Sequence, residues 1–164
     1  MTVYRLTDRK FARDLSGIGS ELFGGRWNSI GIPMLYCAES ASLAVVEALA
    51  HLPNPYPPLE HELVTIDIPD TAPIEALTQS EWIRMPTNLN GASNSATRLQ
   101  LSIEITQRIG DTFANTGSHL ALKVPSVIVP QNNNYLINPK HPLAEQLQIL
   151  SIVPFSFDAR LFHF

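Results

Sequence analysis

A carboxylate stands in the middle of the most apolar helical stretch of the chain. Glu47 lies in Leu43-Ala44-Val45-Val46-Glu47-Ala48-Leu49-Ala50. At 3.6 residues per turn, Leu43, Val46, Glu47 and Ala50 fall on one stripe. A carboxylate there must be solvated in a cleft, paired or protonated. It is either the focused negative charge of a reactive cleft or one half of a structural ion pair with an arginine. The opposite charge is offered upstream by Arg26, in Gly24-Gly25-Arg26-Trp27-Asn28. Paired glycines permit close backbone approach, and a guanidinium grips phosphate or carboxylate with a planar fork. The same residues also suit a tight turn with a surface Arg and a core Trp. No Gly-Lys-Ser/Thr follows, so this is not a phosphate-cradling P-loop, and the spaced glycines of a dinucleotide-binding turn are missing.

Other chemically capable residues have two readings each. Tyr36 either stacks on an aromatic ligand or fills the core. Ser126, in Val124-Pro125-Ser126-Val127, has no Gly-x-Ser-x-Gly elbow and so does not read as a hydrolase nucleophile. Asn138-Pro139-Lys140-His141-Pro142 holds either a ligand or a conformationally fixed turn. The five histidines form neither an HExxH nor a Cys/His cluster, which predicts no metal site. Cys37, the sole cysteine, sits in an apolar run and reads as a packed small hydrophobe.

The elements that must carry these residues follow from periodicity and punctuation. Val3–Leu6 is a short opening strand. Ser16–Gly25 is rich in Gly and Ser and reads as a loop. Arg26–Asn28 and Met34–Ala38 read as strands around a turn at Ser29–Pro33. Ser40–Leu52 is the clearest helix, entered through Ser and closed by the proline cluster Pro53–Pro58. Leu63–Ile68 alternates as a strand and Ile74–Leu77 reads as a helical turn. Pro86–Ala96 is a polar loop leading into a helix over Ala96–Thr116. Leu120–Val124, Val127–Val129 and Tyr135–Ile137 are strands, Gln131–Asn134 is a polar turn, and Gln148–Phe157 holds a late strand or two. Many short strands with two substantial helices predict a single α+β domain over residues 1–164.

Composition sets outer bounds. An apolar fraction of 45% suffices for a sizeable core. A net charge of −4 argues against nucleic-acid binding driven by phosphate contacts. The N-terminus lacks a signal-peptide hydrophobic region, and no stretch approaches a membrane span. With one cysteine and no disulfide, the expected setting is the cytoplasm.

Taken in order, these motifs resemble the RES family of bacterial toxin–antitoxin toxins, named for an Arg, a Glu and a Ser. The match runs from Tyr4-Arg5-Leu6 through Gly24–Asn28, Tyr36, Leu43–Glu47, Val124-Pro125-Ser126 and Asn134–Pro142 to Phe155–Leu161. The resemblance implies an ADP-ribosyltransferase-like split β core with flanking helices, and cleavage of the nicotinamide–ribose bond of NAD⁺. NAD⁺ is then substrate and no cofactor is needed. ADP-ribose passes to water, to phosphate or, alternatively, to a host protein. By resemblance the catalytic set is Arg26, Glu47, Tyr36 and Ser126. Arg26, Asn28, Tyr36 and Ser126 bind NAD⁺: Arg26 at the diphosphate or adjoining ribose, Tyr36 near the nicotinamide, Glu47 at the nicotinamide ribose, and Ser126 shaping the pocket. The implied partner is an antitoxin with a DNA-binding domain, with homodimers also compatible. Residues 86–106 are expected to border the cleft or bind that antitoxin.

Overall fold

The structure, a computed structural model, describes residues 1–51, 60–77 and 95–162, with backbone only over 95–101. Its frame is a seven-stranded mixed sheet formed by β1 (Thr2–Asp8), β2 (Leu35–Ala38), β3 (His61–Asp67), β4 (Ile74–Ala76), β5 (Ala121–Pro125), β6 (Asn133–Ile137) and β7 (Gln148–Phe155). The order is β4-β5-β6-β2-β1-β3-β7, antiparallel except for the parallel β4–β5 edge. The helices are α1 (Ile18–Phe23), α2 (Ala41–Ala50) and α3 (Ser95–Thr116). This is the expected α+β class. Among the described residues no helix is long and apolar enough to cross a membrane.

The sheet is split at its centre. β1 pairs with β3 at seven positions, yet meets β2 at one, Tyr4 opposite Ala38. Strand alternation sends Leu35, Cys37, Tyr135 and Ile137 to one face, where they pack with Val3, Val64 and Ile66. Tyr36, Leu122, Val124 and Leu136 point to the other face and pack with Trp27, Met34 and Phe113 of α3. On this second face Ala38 meets Leu43 and Ala44 of α2. Small side chains at positions 38 and 44 let α2 approach the sheet where β1 and β2 part.

Five elements differ from the sequence expectation, one being the polar turn expected over Gln131–Asn134, whose last two residues open β6. Part of the Gly/Ser-rich segment Ser16–Gly25 is helix α1. Its glycines end the helix instead of dissolving it: Gly17 is the N-cap with φ 71°, and Gly24 the C-cap with φ 69°. A Cβ on Gly17 would lie 2.7 Å from the Met34 nitrogen, so the helix start is pressed against the chain entering β2. Arg26–Asn28 is not a strand but an irregular loop held by α3. Ile74–Ala76 forms an edge strand, not a helical turn; a run this short carries no decisive periodicity, and pairing with Ala121–Lys123 decides it. Val127–Val129 is also not a strand. The Ser126 hydroxyl accepts the amides of Ile128 and Val129 at 3.1 and 2.9 Å and turns the chain despite its β-branched residues.

Candidate active site

A cleft of about 560 Å³ opens over the split, between α2 and the loop carrying Gly24–Trp27, with Tyr4 and Arg5 of β1 and Tyr36–Ala38 of β2 in its floor. Glu47 borders it from α2. The helix starts where Ser40 accepts the Leu43 amide at 3.2 Å and packs Leu43 and Ala44 onto the sheet. That leaves Glu47 half-buried at the cleft. One carboxylate oxygen, Oε1, accepts two hydrogen bonds: from the Ser126 hydroxyl at 2.7 Å and from the Asn134 amide at 2.5 Å. Oε2 accepts none among the described residues, and Glu47 forms no ion pair among them. Among the described residues, therefore, no arginine pairs with Glu47 as a structural ion pair would require.

Ser126 is 3% exposed. Its oxygen accepts two backbone amides and its hydrogen goes to Glu47, so the hydroxyl is fully used inside the protein. In this arrangement Ser126 grips the Glu47 carboxylate. Asn28 is likewise held inside the protein. It is fully buried, its amide donates to the Ser20 and Ile32 carbonyls at 2.8 Å each, and its Oδ1 accepts the Tyr36 hydroxyl at 2.7 Å. With both side-chain polar atoms engaged inside the protein and no exposed surface, Asn28 shapes the loop.

Tyr36 is held by the same knot. Its hydroxyl donates to Asn28 and accepts the Trp27 amide at 3.0 Å, while its ring borders the cleft. Burial pushes the phenol well above its ordinary value, so it stays neutral. Gly25 is required here, since a Cβ would fall 2.5 Å from that hydroxyl. Arg26 is half-buried at the cleft. Its Nη1 donates to Ser102 at 3.4 Å, its carbonyl accepts from Thr106 at 2.5 Å, and Gln107 donates to the Gly25 carbonyl at 2.9 Å. The described part of residues 86–106 thus supports the cleft through Arg26. Residues 86–94 lie outside the described residues.

Three cleft residues escaped sequence reasoning. Arg5 also lines the cleft, while its Nη1 donates to the Asp14 and Phe11 carbonyls at 2.8 and 3.4 Å, with no ion pair among the described residues. Burial lowers its pKa, with nearby Asp14 opposing. The only available signal was an Arg within an alternating strand. Asn134 looked like part of a polar turn but belongs to β6. His51, at the end of α2, binds the Glu47 carbonyl through Nδ1 at 2.7 Å and borders the cleft. A carbonyl only accepts, so Nδ1 carries the hydrogen.

The remaining candidates are structural. Asn138 is 1% exposed, donates to the Ala114 carbonyl at 3.0 Å and accepts the Lys140 amide, while His141 accepts the Leu143 amide. The Asn138–Pro142 segment is a fixed turn away from the cleft. Cys37 is buried, and desolvation pushes its thiol up to about 12, consistent with a packed hydrophobe. The cleft is therefore lined by Arg5, Arg26 and one carboxylate whose outer oxygen accepts no hydrogen bond among the described residues, on partly apolar walls. That combination suits a ligand with an anionic portion and a centre that becomes positive during reaction.

Known proteins share this fold and sequence. The RES domain model matches residues 2–158. "Toxin Res" of Yersinia enterocolitica is 38% identical over 164 residues, covering 98% of this chain and 99% of that protein. "Prs ADP-ribosylating toxin" of a Sphingobium strain is 37% identical over 150 residues, covering 92% and 88%. Among solved structures, the Mycobacterium tuberculosis MbcT–MbcA toxin–antitoxin complex contains a chain of similar fold, with TM-score 0.66 and 24% identity, covering 98% of this chain and 86% of that one. The chain belongs to the RES domain family.

Proposed function

We propose that this protein is the toxin of a toxin–antitoxin system, acting in the cytoplasm by cleaving the nicotinamide–ribose bond of NAD⁺. The observation that carries this reading is the Glu47 carboxylate, anchored through one oxygen and presenting the other to a cleft that also holds Arg26 and Arg5. Breaking the bond leaves the ribose carbon oxocarbenium-like, and a fixed carboxylate beside it stabilises the developing charge. Nicotinamide departs as a neutral molecule with the bonding electron pair, so no strong general acid is needed. Water or phosphate then adds to the ribose carbon and gives up a proton. Arg26, with Arg5 behind it, offers charge to the diphosphate, and the Tyr36 ring offers a face near the nicotinamide. No cofactor enters. The partner is an antitoxin, carrying a DNA-binding domain, that covers the cleft.

The test is nicotinamide release from NAD⁺ by purified protein, with and without phosphate, beside Glu47→Gln. The expected outcome is release by the parent protein and loss of at least about 100-fold in the variant, with the fold intact. Equal release by both would remove Glu47 from the chemistry. A second reading, transfer of ADP-ribose to a host protein, is favoured by the name of the Sphingobium relative. Mass spectrometry of proteins from intoxicated cells separates the two: NAD⁺ depletion without modified protein excludes transfer.

A further inference from the structure

The run Asn132-Asn133-Asn134 follows the turn at Ser126 and holds both carboxylates of the α2 segment. Asn132 and Asn133 donate to the two oxygens of Glu39 at 2.5 and 2.9 Å, just before the helix cap. Asn134 donates to Glu47. Its backbone lies in the middle of the sheet, opposite Ala38 of β2 on one side and Val124 of β5 on the other. An amide on such a post has little freedom of position. A carboxylate only accepts, so Asn134 must present nitrogen to it. Ser126 and Asn134 come from two separate segments and converge on the same oxygen. One donor fixes a distance; two fix the rotation of the carboxylate about its final bond, and therefore where Oε2 points.

We propose that Asn134 is a positioning residue for Glu47, setting with Ser126 the orientation in which Oε2 meets the reacting ribose. The proposal rests on the NAD⁺-cleaving reading of the cleft. With Ser126 alone, the carboxylate swings about a single contact and its charge is no longer held at the reacting carbon. Substrate binding, carried by the guanidinium groups and the ring, is unaffected.

The experiment compares Asn134→Ala, Asn134→Asp and Asn133→Ala with the parent protein in nicotinamide release, together with the carboxyl ¹³C NMR shift of Glu47 at fixed neutral pH. Asn134→Ala should lower kcat by about ten- to a hundredfold, the effect of one lost charge-assisted hydrogen bond on a transition state, with KM within about twofold. The carboxyl ¹³C shift of Glu47 should move away from its parent value, because one of the two donors to Oε1 is gone. Asn134→Asp places two carboxylates on one site. While they share a proton, the O–H of the introduced carboxyl replaces the amide as donor, so activity survives at low pH and falls as the pair loses that proton. Among the described residues, the other ionisable groups bordering the cleft are Tyr4, Arg5, Arg26, Tyr36, Cys37 and His51, all common to parent and variant, so the difference between their pH profiles isolates position 134. Asn133→Ala, which removes an amide from Glu39 and none from Glu47, should lower stability and leave kcat unchanged. Equal kcat and an equal Glu47 carboxyl shift in Asn134→Ala and parent would overturn the proposal, as would a matching kcat loss in Asn133→Ala. If the parent releases no nicotinamide, the functional reading falls, while the Glu47 carboxyl shift still decides whether Asn134 holds Glu47.

Discussion

Replacing Tyr36 with phenylalanine removes one oxygen and keeps the ring, which separates the two jobs the structure gives this residue. The hydroxyl joins two groups that have little or no access to solvent: Asn28 Oδ1, on a fully buried side chain, and the amide of Trp27, 3% exposed. Each buried group left unsatisfied costs about 1–3 kcal/mol. Water entering from the adjoining cleft offsets part of this, so the expected loss is about 2–4 kcal/mol. For a chain of this size that lowers Tm by roughly 4–16 °C. Urea and thermal denaturation measure it directly. Nicotinamide release at about 25 °C should meanwhile fall by no more than about threefold, because the ring that faces the ligand is intact and most molecules remain folded. Unchanged stability would refute the reasoning. So would a hundredfold loss of kcat/KM at unchanged Tm, which would place the hydroxyl on the ligand.

Three further outcomes are expected. Arg26→Ala should raise KM for NAD⁺ by about tenfold or more, the loss of a charge-assisted contact, and steady-state kinetics with unchanged KM would remove it from the diphosphate. Gly110→Ala should destabilise by about 3 kcal/mol or more, since the added Cβ would sit 1.7 Å from the Trp27 carbonyl oxygen; denaturant melts within error of the parent would refute that close contact. Glu39 responds to pH. Burial works to raise its pKa, but the amides of Asn133 and Asn132 outweigh it and hold it below the ordinary value of 4.5. Its contribution is therefore full above the unfolded value and lost as pH falls through the folded one. The stability gap between parent and Glu39→Gln should be widest near neutrality and close in acid, and a gap independent of pH would contradict the assignment.

The parts of this molecule that were legible in its sequence are those governed by local rules. Ser40 and the apolar run after it announce α2, and the expected helix over Ala96–Thr116 appears as Ser95–Thr116. Glu47 stood out because a carboxylate on an apolar stripe demands an explanation. What could not be read depends on partners far along the chain. The glycines at 17 and 24 look the same whether they break a helix or end one; the contact with Met34 decides. Val127 and Ile128 have strand character, yet a single serine oxygen turns them into cleft wall. Asn28 and Ser126 belong to the right motifs, but burial gives them support roles that a motif does not distinguish from ligand contact. Asn134 was hidden in a run of identical residues whose three amides go to two different carboxylates.

The placement of the Glu47 anchors has a consequence for synthesis. Ser126 and Asn134 follow Glu47 by 79 and 87 residues, and β2, in the cleft floor, gains its main neighbour only when β6 forms. Contacts this distant in sequence close late, because a long loop must be ordered before they repay it. At about 5–20 residues per second on the ribosome, the carboxylate exists for several seconds before anything can aim it. A growing chain therefore carries its charged groups without the geometry that makes them act. Assembly of the cleft waits for the segment from Ser126 to Asn134, a built-in delay between making the carboxylate and arming it.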